Sequence, residues 1–126
     1  MKSSTSNITL IFTTTMGAVF IACYPRPSGG KSYRFDLEYY INTHMPLQLK
    51  HHGPYGLRAY HVIEPTEDAP YVVQTIEFWD SIGGMEKAIA EASSELWEDI
   101  PNYTDISDAF PIRAEIKASW PEQKRD

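Results

Sequence analysis

The order of apolar and polar positions along the chain predicts four strands and two helices. The predicted strands cover residues 18–24, 57–63, 71–79 and 113–118. The predicted helices cover about residues 35–50 and 81–100, with Asp80 or Ser81 as the cap of the second and Pro101 ending it. This order predicts an α+β, ferredoxin-like βαββαβ fold, in which two helices cover one face of a four-stranded antiparallel sheet.

The first predicted helix carries a histidine on its apolar side. At 3.6 residues per turn its apolar stripe consists of Leu37, Tyr40, Ile41, His44, Leu47 and His51. Pro46 has no amide proton for the helix, so a kink or pause is expected there. A titratable ring beside a helix defect is a candidate site. A histidine on an apolar face is, however, more often a hydrogen-bonded core residue, and periodicity alone favours that interpretation.

Two further segments have clear faces. The strand 71–79 places Val72, Ile76 and Phe78 on one face and Tyr71, Val73, Thr75, Glu77 and Trp79 on the other. Aromatic side chains beside a carboxylate are typical of a ligand cavity, but an exposed sheet face with cross-strand pairs has a similar composition. The second helix has a core face of Met85, Ala88, Ile89, Ala92 and Leu96, and the last strand points Ile112, Ala114, Ile116 and Ala118 inward.

The length of 126 residues predicts one folded domain at 16–120, preceded by residues 1–15 and followed by a charged tail at 121–126. Residues 1–15 are interpreted as a disordered leader or an extra edge strand. The ferredoxin-like order leaves one sheet face open, and the same sheet of a second copy would cover it. The chain is therefore predicted to pair as a homodimer, a dimeric α/β barrel that encloses a shared cavity.

Composition excludes several classes of function. A net charge of −6 without a basic run argues against nucleic-acid binding. Cys23 is the only cysteine, so no disulfide forms within the chain, and a cytoplasmic location is predicted. The apolar run near Cys23 is too short for a membrane span. No metal is expected, because His51 and His52 diverge by about 100° on a helix.

Three segments together resemble the EthD family of dimeric α/β-barrel proteins. They are Phe20-Ile21-Ala22-Cys23-Tyr24-Pro25, Phe35-Asp36-x-x-Tyr39-Tyr40-x-x-x-His44-Met45-Pro46-Leu47 and Asp99-Ile100-Pro101-Asn102-Tyr103-Thr104-Asp105. The resemblance implies a small-molecule protein, with relatives such as methylmuconolactone isomerases and fungal polyketide decarboxylases. The wider superfamily also holds cofactor-free monooxygenases, polyketide cyclases and haem-degrading enzymes, so the fold does not choose the reaction. The resemblance favours a functional role for His44.

The predicted site is centred on His44 as acid or base. Tyr40 is a candidate proton donor, or only packs near the ring. Asp99, Glu77 and Asn102 are candidates to orient His44 or hold substrate, although Asp99 and Asn102 could simply end the second helix. Trp79, Tyr71 and Tyr60 are candidate cavity walls. No cofactor is expected, although haem at His44 stays open by superfamily analogy.

Three functions remain compatible with the sequence. The favoured one is a lyase, decarboxylase or isomerase acting by proton transfer on a hydrophobic polyketide-like, phenolic or lactone substrate. The second is a cofactor-free oxidoreductase or monooxygenase. The third is a dimer that binds a ligand without catalysis.

Overall fold

The computed structural model describes residues 17–121, so the predicted leader at 1–15 and the tail beyond Pro121 lie outside the described residues. The strands are β1 Ala18–Pro25, β2 Leu57–Ile63, β3 Tyr71–Trp79 and β4 Phe110–Glu115. The helices are α1 Leu37–Tyr39, α2 Met45–His52, α3 Ile82–Glu91 and α4 Ser94–Asp99. Neighbouring strands are antiparallel in the order β2-β3-β1-β4, which confirms the ferredoxin-like fold.

The sheet has one face toward the helices and one face away from them. Glu77 and Trp79 of β3 are almost fully buried on the helix side, where Glu77 lies opposite Phe20 of β1. The strand face predicted to mix aromatic residues with a carboxylate is therefore buried rather than solvent-exposed. On the opposite face, Ile21 lies between Ile76 and Ile112 in register.

The first helix contains a π-helical turn. The segment Tyr40–His44 joins α1 to α2, and the amide of Met45 donates to the carbonyl of Tyr40, five residues back. The defect expected at Pro46 thus takes the form of a wider turn directly before the proline, which has no amide to donate.

The π-turn also corrects the predicted buried stripe. Tyr40, His44, Gln48 and His52, each four residues from the next, are buried, whereas Ile41 is 43% exposed. A wider turn holds more residues than an ordinary one, so it shifts the buried face relative to a regular helix of 3.6 residues per turn.

The second predicted helix is two helices rather than one. Ser81 caps α3 by accepting a hydrogen bond from the amide of Gly84 at 3.0 Å. The helix then ends at Glu91, and the Ser93 hydroxyl donates to the carbonyl of Ala88 at 3.2 Å. A side chain that bonds to a helical carbonyl in this way competes with the backbone ladder. The helix therefore stops here and restarts as α4.

The last strand begins three residues earlier than predicted. β4 pairs with β1 from Ala18↔Glu115 to Cys23↔Phe110 and includes Pro111. A proline is tolerated because β4 is an edge strand, with one side free of ladder hydrogen bonds. Ile112 and Ala114 point away from the helices, while Ile116 and Ala118 lie beyond the strand. The alternation was read as pointing this set toward the core, whereas pairing with β1 places Ile112 and Ala114 on the sheet face away from the helices.

Candidate functional site

A cavity of about 360 Å³ lies between the helices and the helix-facing side of the sheet. Its aromatic and polar lining consists of Phe20, Tyr24, Tyr40, His44, Gln48, His52, Glu77, Trp79, Ser93, Trp97, Tyr103, Phe110 and Arg113. Trp97 lies at the edge of the cavity, and the residue is 62% exposed. All of these lining residues belong to one chain. The shared cavity of a homodimer stays a prediction. Within this chain, the wall opposite the sheet is supplied by the helices and the turn after α4.

His44 is held by the carboxylate of Asp99. Nδ1 of His44 lies 2.9 Å from Oδ2 of Asp99. Oδ1 of the same carboxylate accepts from the Tyr39 hydroxyl at 2.6 Å and from the Asn102 amide at 3.0 Å. Since a carboxylate only accepts, Nδ1 of His44 carries a proton and Nε2 of the neutral ring is a free base.

The segment that follows α4 is joined to the start of the first helix. The amide of Asp36 donates to the carbonyl of Tyr103 at 2.7 Å, and Phe35 pairs with Thr104 in an antiparallel bridge. Asp36 also caps α1 by accepting from the amide of Tyr39 at 3.0 Å. These contacts bring the end of α4, and with it Asp99, next to His44.

Burial and hydrogen bonding shift the pKa values of both His44 and Asp99. Burial lowers the pKa of His44 below its usual value, although the contact with Asp99 opposes this shift. Burial acts to raise the pKa of Asp99, but hydrogen bonds from Tyr39, Asn102 and His44 outweigh it and leave that pKa below the usual value. Near neutral pH the site therefore contains a neutral imidazole held by an ionised carboxylate.

Aromatic rings form the walls around His44. The ring of Tyr40 stacks on the imidazole with centroids 5.3 Å apart, and Tyr103 lies 4.6 Å away at a tilt. The hydroxyl of Tyr40 bonds to Oγ1 of Thr75 at 2.6 Å, and the hydroxyls of Tyr24 and Tyr103 are 2.8 Å apart. Burial raises the pKa of Tyr40 well above its usual value, so this group stays protonated. These rings fix the plane of the imidazole.

Glu77 is a second titratable group in the cavity. It is 2% exposed, and its Oε1 accepts a hydrogen bond from the Trp79 indole at 3.1 Å. Burial raises the pKa of Glu77 to about 7, although the side chains of Gln48 and Trp79 oppose this shift. A substantial fraction of Glu77 is therefore protonated at neutral pH.

The predicted site residues fall into three groups. His44, Tyr40, Glu77 and Trp79 line the cavity. Asp99 and Asn102 lie behind His44, where they position its ring. Tyr60 and Tyr71 do not line the cavity, since Tyr60 packs on the core cluster of Tyr24 and Tyr71 packs near Phe110.

The sequence analysis missed Gln48, His52, Tyr103 and Arg113 of the lining. Spacing offers a signal for the first two, because Gln48 and His52 continue a four-residue step from His44. Tyr103 lies in the 99–105 motif, where only the neighbouring polar residues attracted attention. Arg113 gave no signal, because the alternation of the last strand placed it opposite the predicted inward face, whereas it pairs with Phe20 on the helix-facing side.

Within residues 17–121, no group of three or more His, Cys, Asp or Glu side chains is placed to hold a metal ion. Over the same range, the helices are all too short or too polar to cross a bilayer.

No family model and no curated protein sequence matches the chain. Among solved structures, an EthD-like protein from Ralstonia eutropha is 28% identical, with a TM-score of 0.65 over 80% of this chain and 93% of that one. An EthD family protein from Bacillus halodurans is 22% identical, with a TM-score of 0.58 over 81% of this chain and 100% of that one. SnoaB, a cofactor-independent oxygenase from Streptomyces nogalater, is 8% identical, with a TM-score of 0.57 over 86% of this chain and 100% of that one.

The second and third of these likenesses concern the fold alone. The Ralstonia protein is alike in sequence as well as in fold, and the predicted resemblance of this chain to the EthD family is thereby confirmed.

Proposed function

We propose that this protein is a small-molecule enzyme in which His44 moves a proton on a hydrophobic phenolic, polyketide-like or lactone substrate. The reaction is that of a lyase, decarboxylase or isomerase. The observation that carries the proposal is the 2.9 Å contact between Nδ1 of His44 and Asp99 in an aromatic-lined cavity. A base held in one tautomer by a carboxylate is a common arrangement for proton transfer.

The proposed chemistry uses Nε2 of His44. This nitrogen takes a proton from a carbon next to a substrate carbonyl, and the electron pair of that C–H bond moves into the carbonyl to form an enolate. The resulting imidazolium is stabilised by Asp99. In a substrate with a C=C next to that carbon, the electron pair spreads over a dienolate, and the imidazolium returns the proton to the far carbon, which moves the double bond and gives an isomer. In a decarboxylation, Nε2 takes the proton of the carboxyl group of a β-keto acid, the C–C bond breaks with loss of CO₂, and its electron pair forms the enolate. The imidazolium then returns the proton to the enolate carbon.

A second candidate is cofactor-independent oxygenation. SnoaB shares the fold and is a cofactor-independent oxygenase, which gives this candidate its support. The same proton abstraction produces an electron-rich enolate, and molecular oxygen is the co-reactant that would oxidise it. Oxygen consumption therefore distinguishes this candidate from the isomerase or lyase.

The proton-transfer proposal is tested with a simple enolisable ketone, 2-tetralone. We expect the protein in D₂O to accelerate deuterium exchange at carbon 1 of this ketone above the rate in buffer, as followed by proton NMR. Oxygen uptake in the same reaction under air would favour oxygenation instead. Binding of the ketone without accelerated exchange or oxygen uptake would contradict both and favour a non-catalytic binding protein.

We also propose that the protein is a homodimer paired through the open face of its sheet. In register, Val19 lies beside Phe78, and Ile21 lies between Ile76 and Ile112. These neighbouring apolar side chains form a continuous surface, of the kind that marks an interface.

Sedimentation equilibrium tests the homodimer. We expect the protein to sediment at twice its 14.4 kDa chain mass and Ile112→Glu to shift it toward the monomer. Ile41→Glu is the matched control, because Ile41 and Ile112 are both 43% exposed but Ile41 lies on the first helix. A monomeric wild-type protein, or equal effects of both substitutions, would contradict pairing through the sheet.

A further inference from the structure

The amide of Gln48 lies at the cavity wall, one turn beyond His44 on the same helix. Gln48 is buried and lines the cavity. Its Nε2 lies 3.2 Å from Nδ1 of His52. The proton transfer proposed above uses neither Gln48 nor His52, so this buried contact has another role.

The surroundings of His52 fix which of its ring nitrogens carries the proton. Nε2 lies 3.1 Å from the carbonyl oxygen of Ala92 and 3.2 Å from the hydroxyl of Ser93. A carbonyl only accepts, and the Ser93 hydroxyl already donates to Ala88. Nε2 is therefore protonated. Burial lowers the pKa of His52, which favours the neutral ring with a lone pair on Nδ1.

The tautomer of His52 in turn fixes the amide of Gln48. Because Nδ1 of His52 accepts, the amide nitrogen of Gln48 must be the atom that faces it, and the opposite orientation would bring two acceptors together. The contact with His52 uses the amide nitrogen, so Oε1 of Gln48 is left as the acceptor of this side chain. The ring of His52 thus presents Oε1 of Gln48 to the cavity as a fixed acceptor.

Glu77 lies beside this acceptor. Its carboxyl group is close enough to the Gln48 side chain to interact with it, and its Oε1 is occupied by the Trp79 indole. In its protonated form, Glu77 has an O–H donor beside the Gln48 acceptor. A ligand that enters between the two side chains replaces their mutual contact with one hydrogen bond to each. The other titratable or charged side chains that line the same cavity are Cys23, Tyr24, Tyr40, His44, His52, Tyr103 and Arg113.

We propose that Gln48 and Glu77 form a second polar subsite, which binds a substrate group carrying a carbonyl oxygen next to an O–H or N–H. Glu77 donates to the carbonyl, and Oε1 of Gln48 accepts from the neighbouring hydrogen. Hydroxy-ketones, enolised dicarbonyls and primary amides have this pattern, whereas simple ketones have only half of it. The inference rests on the proposed function, since it describes how the substrate of the same cavity is oriented toward His44.

Two uncharged probes of nearly equal shape test the subsite by calorimetric titration at pH 6. 2-Naphthamide offers both groups, and 2-acetonaphthone offers only the carbonyl. We expect the wild-type protein to bind the amide roughly two- to tenfold more tightly, the range of one net hydrogen bond. Gln48→Met should abolish this preference. Gln74→Met, on the opposite face of β3, is the matched control and should retain it.

Glu77→Gln provides a second test that does not depend on the folding of the Gln48 variant. The new amide still donates to a carbonyl, so the preference for naphthamide should persist. Wild-type affinity for both probes should fall between pH 6 and pH 8 as the Glu77 proton is lost, whereas the variant should lack this fall. A preference that survives Gln48→Met, or an equal pH dependence in Glu77→Gln, would overturn the subsite.

Different experimental outcomes would overturn the subsite and the proposed function. His44→Gln should stop deuterium exchange of 2-tetralone while keeping the preference for naphthamide. Loss of exchange in His44→Gln together with an unaltered preference in Gln48→Met would overturn the subsite alone. Undiminished exchange in His44→Gln with a lost preference in Gln48→Met would overturn the proposed role of His44 and support the subsite.

Discussion

His44→Gln is expected to slow the deuterium exchange of 2-tetralone by about 10²- to 10⁴-fold, the usual contribution of a positioned general base. Glutamine is close in size to histidine, and its amide can still donate to Asp99, so the aromatic packing around residue 44 should persist. It has no basic nitrogen, however. The proton NMR exchange rate should therefore fall to near that of buffer, while the affinity for the ketone changes little.

Two further variants show whether this loss concerns the base itself. Asp99→Asn keeps the shape of the carboxylate but removes the charge that stabilises the imidazolium, so exchange should fall by about 10- to 100-fold, part of the same contribution. The lost charge should also move the pH profile of exchange to lower pH, because the pKa of His44 falls further. His61→Gln, in an exposed position on β2, should leave exchange unchanged. Full activity in His44→Gln would eliminate His44 as the base.

Local pattern was sufficient to predict most of the fold. The runs at 18–24, 57–63 and 71–79 match β1, β2 and β3 to within one residue, because strand periodicity and turn residues are local properties. β4 was misplaced because a proline inside a strand is acceptable only at an edge, and edge position depends on the whole sheet. The split between α3 and α4 was missed because it depends on side-chain contacts of the folded chain. The Ser93 hydroxyl donates to the carbonyl of Ala88, and His52, forty residues away, bonds to the carbonyl of Ala92.

The candidate site was only partly predictable. His44 could be found from its helix face, and Glu77 from its strand face. The contact between His44 and Asp99 joins residues 55 apart in sequence, and only the folded chain brings them together. The π-turn had a further effect, because a pattern of 3.6 residues per turn points to His51, whereas the wider turn buries His52 and Gln48 instead. A four-residue step from His44 points to Gln48 and His52, but only the folded chain shows that this step, and not the one to His51, follows the buried face.

Glu77→Gln is expected to stabilise the protein above pH 7, although it replaces a buried side chain. The pKa of Glu77 is about 7 in the folded protein and 4.5 as the usual value. Between these pH values the folded chain binds more protons than the unfolded chain, so the free energy of unfolding falls as the pH rises. A shift of this size corresponds to about 3 kcal/mol. The fall should be complete just above pH 7 and absent below pH 4.5.

Urea denaturation of wild type and variant between pH 4 and pH 8.5 measures this difference. The amide oxygen that Glu77→Gln introduces can still accept from the Trp79 indole, so the two proteins should be about equally stable near pH 4.5. As the pH rises and Glu77 of the wild type loses its proton, the variant should become the more stable of the two. Titration of His44, His52 and Asp99 affects both proteins alike and cancels in the difference. Glu64→Gln, at an exposed position, is the control for loss of a charge. A difference that does not grow with pH would mean that Glu77 is ionised in the folded protein, and the carboxylic acid required as a donor in the second subsite would then be absent at neutral pH.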